Sequence, residues 1–593
     1  MSARSAGWLT SDELRVGLGC MRLSTDEDRD EERALATIAE AVRSGITVFD
    51  TARSYGRGAD DLGHNERLLA RALRACGGAS SARIVTKGGM ARVGGRWIPD
   101  GRARTIRADC EASVETLDGL TPDLYLVHAP DPRTPWRTTV RALARLVDDD
   151  LVPRVGVSNV NRAQLDEALE LAPIAAVEIA VSPLDDQALR GGVVERCAER
   201  EITVVAHSPL GGPRRAPALQ RRAPLVEIAR AYGASAAEVA LAWLLGLEGD
   251  VVVIPGARRP ETVRSGVRAA TLELEPAERE RLDEAFGRPR PARPAARARR
   301  ARADGDVVVV MGIPGAGKSG VAAEYVERGY ERLNRDERGG SLRDLATALD
   351  EALAAGSRRV VLDNTYLTRA ARSHVIETAA RHDVSARCIW LDAPLAQAQV
   401  NVVERLLDRF GSLPSPEELD ELSRTEPGIM PPTRQMRALR ELEPPVEDEG
   451  FATVERVEFV RAAPRDEASS GVFVAAAAVR NPDWRALVEP TEASAPYLVF
   501  DWIPGGGPDE LASAVAELAR AVTGPLESAL CPHPGGPPTC WCRPPLPGLA
   551  LAFARHHGVD PARSLLLGTS TAHRTLAATL GARYVHLLPE QAA

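Results

Sequence analysis

The sequence contains almost no lysine. Only Lys87 and Lys318 occur among 593 residues, so 72 of the 74 basic residues are arginine. A guanidinium group is planar and always charged, whereas an ammonium group is compact and can titrate. A lysine that persists in such a chain therefore indicates a site that requires it. Both lysines lie within motifs, and we expect both to be functional.

Long apolar runs and an excess of positive charge are also missing. No stretch approaches the roughly 18 apolar residues that span a bilayer, and the first residues lack the apolar region of a signal peptide. The net charge of −9 argues against general binding of nucleic acid or membrane through a cationic surface. The eight cysteines are too scattered for a disulfide framework, so we expect a cytoplasmic protein without membrane contacts.

The length predicts several domains. Residues 1–287 alternate helical patterns with eight short apolar runs, at 14–19, 46–51, 82–88, 123–129, 152–158, 174–181, 202–208 and 250–256. Eight parallel strands separated by helices predict a (β/α)8 TIM barrel, whose active site lies at the carboxyl ends of the strands. Residues 288–304, rich in arginine and proline, predict a linker. Two further α/β domains are predicted, at 305–463 and 470–593.

Four polar residues stand at the ends of barrel strands: Asp50, Tyr55, Lys87 and His128. With the motifs FDTARSYG, VTKGG and LVHAPDP, they make residues 1–287 resemble the aldo-keto reductase family. That resemblance implies reduction of a small carbonyl substrate with NADPH. Tyr55 would supply the proton, Lys87 would lower the pKa of the phenol, Asp50 would hold the lysine, and His128 would orient the substrate oxygen.

The same resemblance implies a binding site for NADP(H). Its expected residues are Ser158 and Asn159 at the nicotinamide amide, Glu178 and Ser208 elsewhere along the cofactor, and Arg258 or Arg259 at the 2′-phosphate. The family usually has glutamine at the position of Glu178 and an aromatic residue at that of Val181. These departures leave open a barrel that senses the cofactor and turns over slowly.

A second motif begins at residue 312. Gly312, Gly315, Gly317, Lys318 and Ser319 form a Walker A loop between an apolar run and a helical pattern. The glycines let backbone amides cradle phosphates, the lysine bridges the β- and γ-phosphates, and the serine ligates Mg²⁺. We therefore expect ATP, or another nucleoside triphosphate, with Mg²⁺.

The residues that follow resemble the polynucleotide 5′-hydroxyl kinase branch of P-loop kinases. By that resemblance Asp336 activates the acceptor hydroxyl, Arg338 and Asp363 position the acceptor, and Arg405 belongs to a lid over the nucleotide. Residues 304–461 hold 20 basic and 28 acidic residues, a net charge of −8. Such a domain is expected to grip a strand end or a small molecule rather than track a long polynucleotide.

The last segment carries a cluster of metal-ligating residues. Cys531, His533, Cys540 and Cys542 form a Cys₃His set suited to a structural zinc ion. With the pattern at 558–585, the segment resembles HAD phosphatases of the histidinol-phosphate and heptose-bisphosphate type. Asp501 lacks the second aspartate that those enzymes use. We therefore expect an inactive, zinc-stapled, HAD-like Rossmannoid domain used for binding or scaffolding.

Together these features predict a multifunctional enzyme. It joins an NADPH-dependent carbonyl reductase to an ATP-dependent 5′-hydroxyl kinase of nucleic-acid end healing, acting on RNA or DNA, with a phosphatase-like partner. Two alternatives remain. In one, the reductase makes a small-molecule alcohol that the kinase phosphorylates; in the other, the barrel senses NADP and controls the kinase.

Overall fold

The computed structural model describes residues 8–287, 305–459, 469–487, 494–504 and 509–587. The predicted linker at 288–304 lies outside these ranges. The chain divides into two compact units, residues 1–291 and 292–593. Among the described residues, no helix has both the length and the apolar composition needed to cross a membrane.

The first unit is a parallel barrel whose strands coincide with the eight predicted apolar runs. These strands are β1 (Leu18–Gly19), β2 (Val48–Asp50), β3 (Arg83–Gly88), β6 (Leu124–Val127), β7 (Val155–Ser158), β8 (Ile174–Ala180), β9 (Thr203–His207) and β10 (Val251–Ile254). They pair in chain order in one eight-stranded sheet. Bridges from Val16 to Val253 and from Gly19 to Gly256 join its two ends, which confirms the predicted (β/α)8 architecture.

Within residues 8–287, thirteen α-helices accompany the barrel strands. They are α1 (Met21–Thr25), α2 (Glu31–Arg43), α3 (His64–Ala75), α4 (Ala103–Thr116), α5 (Trp136–Asp148), α6 (Arg162–Leu171), α7 (Gln187–Arg190), α8 (Val193–Glu199), α9 (Gly212–Arg215), α10 (Ala223–Tyr232), α11 (Ala236–Leu245), α12 (Pro260–Ala270) and α13 (Pro276–Phe286). Several begin at side-chain caps; Ser235 and Glu238 form a reciprocal capping box at α11. Their apolar faces pack on the strands, so polar side chains collect at the strand ends.

A hairpin that the sequence reading missed follows β3. Its strands β4 (Met90–Val93) and β5 (Arg96–Pro99) are antiparallel and are joined by Gly94 and Gly95. Both glycines have positive φ, 55° and 75°, as a two-residue hairpin turn requires. The Gly-Gly pair was a usable hairpin signal, but the flanking runs are short and carry arginine.

The second unit contains two parallel five-stranded sheets. The first comprises β11 (Asp306–Met311), β12 (Glu331–Leu333), β13 (Arg359–Asp363), β14 (Ser385–Asp392) and β15 (Val454–Glu458), in the order β12-β13-β11-β14-β15. The second comprises β16 (Val472–Ala475), β17 (Tyr497–Trp502), β18 (Leu526–Cys531), β19 (Leu565–Gly568) and β20 (Arg583–His586), in the order β18-β17-β16-β19-β20. In each sheet the first strand is central, and the strand order reverses beside it.

The helices of this unit cover both sheets. They are α14 (Lys318–Glu327), α15 (Arg335–Arg338), α16 (Leu342–Ala354), α17 (Arg369–Arg381), α18 (Leu395–Phe410), α19 (Pro416–Thr425), α20 (Pro432–Glu441), α21 (Trp484–Leu487), α22 (Asp509–Leu518), α23 (Gly548–His557) and α24 (Thr571–Leu580). One hydrophobic cluster joins Val402 and Leu406 of α18 to Phe473, Trp541 and Leu566 around the last sheet. The two α/β parts that the sequence separates thus share a core.

Candidate functional sites

The four barrel residues meet at the carboxyl ends of neighbouring strands. Asp50 ends β2, Lys87 lies in β3, and His128 follows β6, while Tyr55 lies in the loop after β2. The Lys87 side chain is fully buried and forms an ion pair with Asp50. Its ammonium also donates to the Thr51 carbonyl at 3.0 Å and to the Tyr55 hydroxyl at 3.3 Å. The structure therefore brings the predicted tetrad together.

The electrostatics of Tyr55 differ from the expectation. Lys87 does lower the pKa of the phenol, but burial raises it more, and Asp50 and Glu178 add to the rise. The pKa of Tyr55 consequently lies above its ordinary value, and the sequence-based prediction of a lowered pKa is wrong in its net sign. A fully buried phenolate loses hydration that one ammonium, shared with two carboxyl groups, does not replace.

Glu178 is the second acid at this lysine. Its carboxyl lies 3.1 Å from the Lys87 ammonium and is 2% exposed as a residue. Burial, followed by the charge of Asp50, raises the pKa of Glu178 to about 8. At neutral pH this side chain is therefore mostly neutral, as a glutamine would be, although burial raises the pKa of Asp50 as well.

Aromatic rings surround the phenol of Tyr55. The His128 ring meets it edge-on with centroids 5.7 Å apart, and burial lowers the pKa of His128 well below its ordinary value. Trp97, on the missed hairpin, lies 6.0 Å from Tyr55 and 5.9 Å from His128. Arg92, on the paired strand, stacks over Trp97. A neutral imidazole and a tryptophan thus lie against the phenol of Tyr55.

The expected nicotinamide-binding residues lie at the next strand ends. Ser158 is buried at the end of β7, and Asn159 and Ser208 adopt positive φ, 56° and 49°. The Asn159 amide donates to the His128 carbonyl at 3.1 Å, and its oxygen lies 3.0 Å from His207 Nε2. Left-handed backbone at non-glycine residues concentrates at functional sites. His207, which the sequence did not indicate, contacts Asn159 and so lies at the same strand ends.

The two candidate phosphate-binding arginines differ. Arg258 forms ion pairs with Asp26 at 3.1 Å and with Asp28 at 2.7 Å. Arg259 is exposed at the N-cap of α12, an eleven-residue helix. Because Arg259 is exposed at a helix N-terminus whereas Arg258 is held by two aspartates, Arg259 is better placed to meet an anion.

The phosphate loop connects β11 to α14. Gly317 has φ of 93°, and a Cβ on Gly315 would lie 2.4 Å from the Ala398 carbonyl oxygen. Glycine is thus required at the first by conformation and at the second by the close approach of α18. Asn401 of α18 donates to the Gly315 carbonyl at 2.7 Å, and the buried Gln435 of α20 donates to the Pro314 carbonyl at 2.8 Å. Asn401 and Gln435 therefore support the backbone of the phosphate loop.

Lys318 lies over this loop. Its ammonium donates to the carbonyls of Gly312 at 3.1 Å and Ile313 at 3.0 Å. Burial is the main cause that lowers the pKa of Lys318 to about 8. Ser319 is exposed at the start of α14. The site thus presents a cation and a hydroxyl beside a loop of the Walker A kind.

The expected acceptor residues are divided between supporting and open positions. Asp363 is 2% exposed, pairs with Arg332 at 2.5 Å and accepts from Asn334 at 3.1 Å. Asp336 and Arg338 are exposed on α15, and Asp336 contributes to the electrostatic environment of Lys318. Asp336 is therefore open to an acceptor, whereas Asp363 is held within the protein.

Arg405 is exposed on α18 and also contributes to the electrostatic environment of Lys318. Arg409, one turn further along α18, forms an ion pair with Glu426. Of these two arginines, Arg409 is engaged by an acid, whereas Arg405 acts electrostatically on Lys318.

The four expected zinc ligands converge. Their ligand atoms all lie within 4.8 Å of one another. Cys531 Sγ lies 3.5 Å from His533 Nδ1 and 3.7 Å from Cys540 Sγ, and His533 Nδ1 lies 3.2 Å from Cys542 Sγ. A tetrahedral ion with bonds of about 2.3 Å to sulfur and 2.0–2.1 Å to nitrogen separates its ligands by similar distances. The donor set therefore fits one zinc ion with no open position.

The last sheet has no acid at the expected catalytic position. In parallel α/β sheets ligands bind where the strand order reverses, here at the carboxyl end of β16. Alanines occupy 475–478 at that end. Asp501 lies on the neighbouring strand β17, and its carboxylate accepts from the Trp502 backbone N–H at 2.7 Å. Asp501 is therefore one strand away from the position where the strand order reverses.

The barrel and its buried tyrosine, lysine and carboxyl groups define an oxidoreductase of the TIM-barrel class. The Aldo/keto reductase family model matches residues 15–286, and a model described as AAA domain matches residues 307–423. Probable aldo-keto reductase 1 of Glycine max is 30% identical over 292 residues, which are 44% of this chain and 82% of that protein. The chain belongs to the aldo-keto reductase family, and a P-loop kinase-like domain follows its barrel.

Two further comparisons concern the barrel. Aldo-keto reductase str7 of Strobilurus tenacellus is 29% identical over 276 residues, 42% of this chain and 79% of that protein. A crystal structure of an aldo/keto reductase from Klebsiella pneumoniae, in complex with NADP and acetate, is 24% identical. It covers 46% of this chain and 92% of its own, with a TM-score of 0.40.

Proposed function

We propose that the barrel is an NADPH-dependent carbonyl reductase. The observation that carries this is the contact of Tyr55 with Lys87, itself paired with Asp50, in a chain of this family. The phenol of Tyr55 is protonated at neutral pH, and the adjacent Lys87 ammonium favours loss of its proton to a carbonyl oxygen. His128 stays neutral and orients that oxygen with a ring N–H.

The residues at the carboxyl ends of β7, β8 and β9 are suited to hold the cofactor. NADPH supplies the hydride when it is bound. Ser158 and Asn159 would hold the nicotinamide amide, with Glu178 and Ser208 beside the cofactor, and Arg259 would meet the 2′-phosphate at the start of α12. Because Arg258 is already paired with Asp26 and Asp28, Arg259→Ala is expected to weaken NADPH binding more than Arg258→Ala.

NADPH oxidation with a panel of aldehydes tests the reductase. Wild type should turn over at least one aldehyde, and Tyr55→Phe should lower kcat by roughly 10²–10⁴. Tyr232→Phe, which removes a hydroxyl on α10 far along the chain, is the matched control and should retain activity. Equal rates in wild type and Tyr55→Phe would remove Tyr55 as the proton donor.

We propose that the P-loop domain is an ATP- and Mg²⁺-dependent hydroxyl kinase. Asp336, exposed on α15 and electrostatically linked to Lys318, carries the proposal as the base that accepts the proton of the hydroxyl. Ser319 is open to ligate Mg²⁺, and Arg405 would stabilise charge on the transferred phosphoryl group. A 5′-hydroxyl end of RNA or DNA is the first acceptor, and a small-molecule alcohol is the alternative.

Labelled ATP, Mg²⁺ and a 5′-hydroxyl oligonucleotide test the kinase. Label should move to the 5′ end, and Asp336→Asn should abolish the transfer. Glu331→Gln, which changes an exposed acid on β12, should not. If no oligonucleotide is labelled but an alcohol is, the small-molecule alternative replaces nucleic-acid end healing.

We propose that the HAD-like part is an inactive scaffold for the kinase, stapled by zinc. Trp541, between two zinc-ligand cysteines, is 1% exposed and donates to the Met430 carbonyl at 3.0 Å. Met430 precedes α20, whose Gln435 supports the phosphate loop. The segment from Met430 to Gln435 therefore links the zinc ligands to the phosphate loop: Trp541 contacts one end, and Gln435 contacts Pro314.

Metal analysis of the full chain tests the scaffold. One zinc ion per chain is expected, lost in Cys540→Ser but retained in Cys76→Ser, which changes a cysteine outside the cluster. Loss of zinc should also weaken nucleotide binding, because Trp541 would no longer fix the segment before α20. A folded chain without zinc would refute the metal site.

A further inference from the structure

Arg92 is a buried cation beside the barrel site. It is 8% exposed, and only one of its guanidinium nitrogens has a partner: Nη2 donates to the Arg57 carbonyl at 3.2 Å. Nε and Nη1 are buried without a hydrogen-bond partner. An arginine in this state forgoes hydration without receiving hydrogen bonds in exchange, which is costly in a folded protein.

No carboxylate among the described residues forms an ion pair with Arg92. Asp100, directly after the hairpin, is already paired with Arg102, and Asp131, after β6, is paired with Arg133. Burial lowers the pKa of the Arg92 guanidinium, and no acid offsets that shift. A buried charge without a counter-charge is strongly destabilising unless a ligand supplies one.

Its position links the charge to the reacting groups. The guanidinium carbon lies 3.9 Å from the centre of the Trp97 ring, which itself lies 6.0 Å from the Tyr55 ring. Arg92 is therefore no more than 9.9 Å from the centre of the Tyr55 ring. A molecule of a few carbon atoms spans that interval, so the distance is compatible with one substrate that contacts both groups.

We propose that Arg92 determines the substrate class of the barrel by binding an anionic group, carboxylate or phosphate, on a small carbonyl compound. This rests on the proposed reductase function and deepens it. A guanidinium fork can form two parallel hydrogen bonds with either anion. Trp97 would cover the carbon chain between the anion and the carbonyl group, with the carbonyl oxygen at Tyr55 and His128.

Two matched pairs of aldehydes test the assignment and distinguish the two anions. Succinic semialdehyde is compared with butanal, and glyceraldehyde 3-phosphate with glyceraldehyde. Wild type should favour at least one charged member by about tenfold or more in kcat/KM, a preference that one charge-assisted pair provides. The arm with the larger preference identifies the anion.

Three variants separate charge from packing. Arg92→Met should remove the preference through a higher KM for the charged aldehyde, with the neutral one changed less than about twofold. Arg92→Lys should restore part of it, since the charge returns without the fork. Arg96→Met, on the exposed side of the same hairpin, should behave as wild type. An equal loss of kcat on both members in Arg92→Met would show a structural role and overturn the proposal.

Binding separates this proposal from the reductase itself. In Tyr55→Phe with NADP⁺, calorimetry should still show tighter binding of the charged aldehyde, and Arg92→Met should abolish that difference. If charged aldehydes bind more tightly but wild type reduces none of them, the reductase proposal is refuted and the anion site is supported. Reduction of butanal with no charge preference in either assay would keep the reductase and overturn the anion site.

Discussion

The two lysines occupy opposite electrostatic settings. Lys87 is fully buried, and its carboxyl neighbours raise the pKa of its ammonium well above the ordinary value despite that burial. Lys318 contacts backbone carbonyls, and burial lowers its pKa to about 8. The barrel therefore carries a permanent counter-charge for its lysine, whereas the phosphate loop holds a cation whose strongest partner would be a ligand.

Removing the loop cation should have the largest effect. Lys318→Met takes away the only ammonium of the second unit, so charge on the transferred phosphoryl group loses its main protein partner. Phosphate transfer should fall by roughly 10²–10³, as when a preorganised donor is removed. Transfer of labelled phosphate measures it. Arg440→Met, which changes a cation on α20, is the control, and an unchanged rate in Lys318→Met would contradict the assignment.

Removing the counter-charge of Lys87 should have a smaller effect. Asp50→Asn leaves the ammonium buried with only Glu178 to balance it, which makes this site resemble the loop site. The pKa of Lys87 should fall, and kcat for aldehyde reduction should drop by about 10², as for a disturbed acid–base partner. Steady-state kinetics at pH 7 checks this. Glu178→Gln is the matched control, since Glu178 is mostly neutral at that pH.

Glu178→Gln should change how the stability of the barrel depends on pH. The folded-state pKa of Glu178 is about 8, above the 4.5 of an exposed glutamate, so the folded protein holds a proton that the unfolded chain releases. Wild type thus loses stability as pH rises from about 4.5 to 8, and the variant does not. Its Tm should exceed that of wild type by more at pH 9 than at pH 4.5. An equal difference at both values would show that Glu178 does not carry this proton.

The smallest effect concerns the support of the phosphate loop. Gln435→Leu removes the hydrogen bond to the Pro314 carbonyl but keeps the side chain's bulk. One neutral hydrogen bond contributes about 0.5–1.5 kcal/mol, so nucleotide affinity should weaken by about twofold to tenfold. A fluorescent ATP analogue measures the Kd. Arg434→Ala, at an exposed neighbour on α20, should leave the Kd unchanged, and a similar loss in both variants would count against the contact.

The sequence predicted the barrel because its strands are apolar runs at regular intervals, each ending in a polar motif. It could not predict the net pKa of Tyr55, which depends on burial and on the approach of Glu178 in three dimensions. Arg92 and Trp97 were missed because their strands are too short and too polar for the period-two pattern. The contact of Gln435 with Pro314 could not be predicted either, because the two residues are 121 positions apart in the sequence.

The sheet formed by β16–β20 shows a different limit of prediction from sequence. The metal-ligand spacing found the cluster of Cys531, His533, Cys540 and Cys542 without any structure, because ligands close in sequence are close in space. The central strand was not identified, since only the strand order shows that β16 rather than β17 lies at the switch point. Shared packing between α18 and this sheet likewise depends on contacts across many residues.

The most direct test exchanges each lysine for arginine in the full chain, as Lys87→Arg and Lys318→Arg. Both proteins are measured in both assays, aldehyde-dependent NADPH oxidation and phosphate transfer to a hydroxyl. Each substitution should lower the activity of its own domain by about 10² and leave the other intact, because neither site accommodates a guanidinium in place of an ammonium. Wild-type rates in either altered domain would contradict the account.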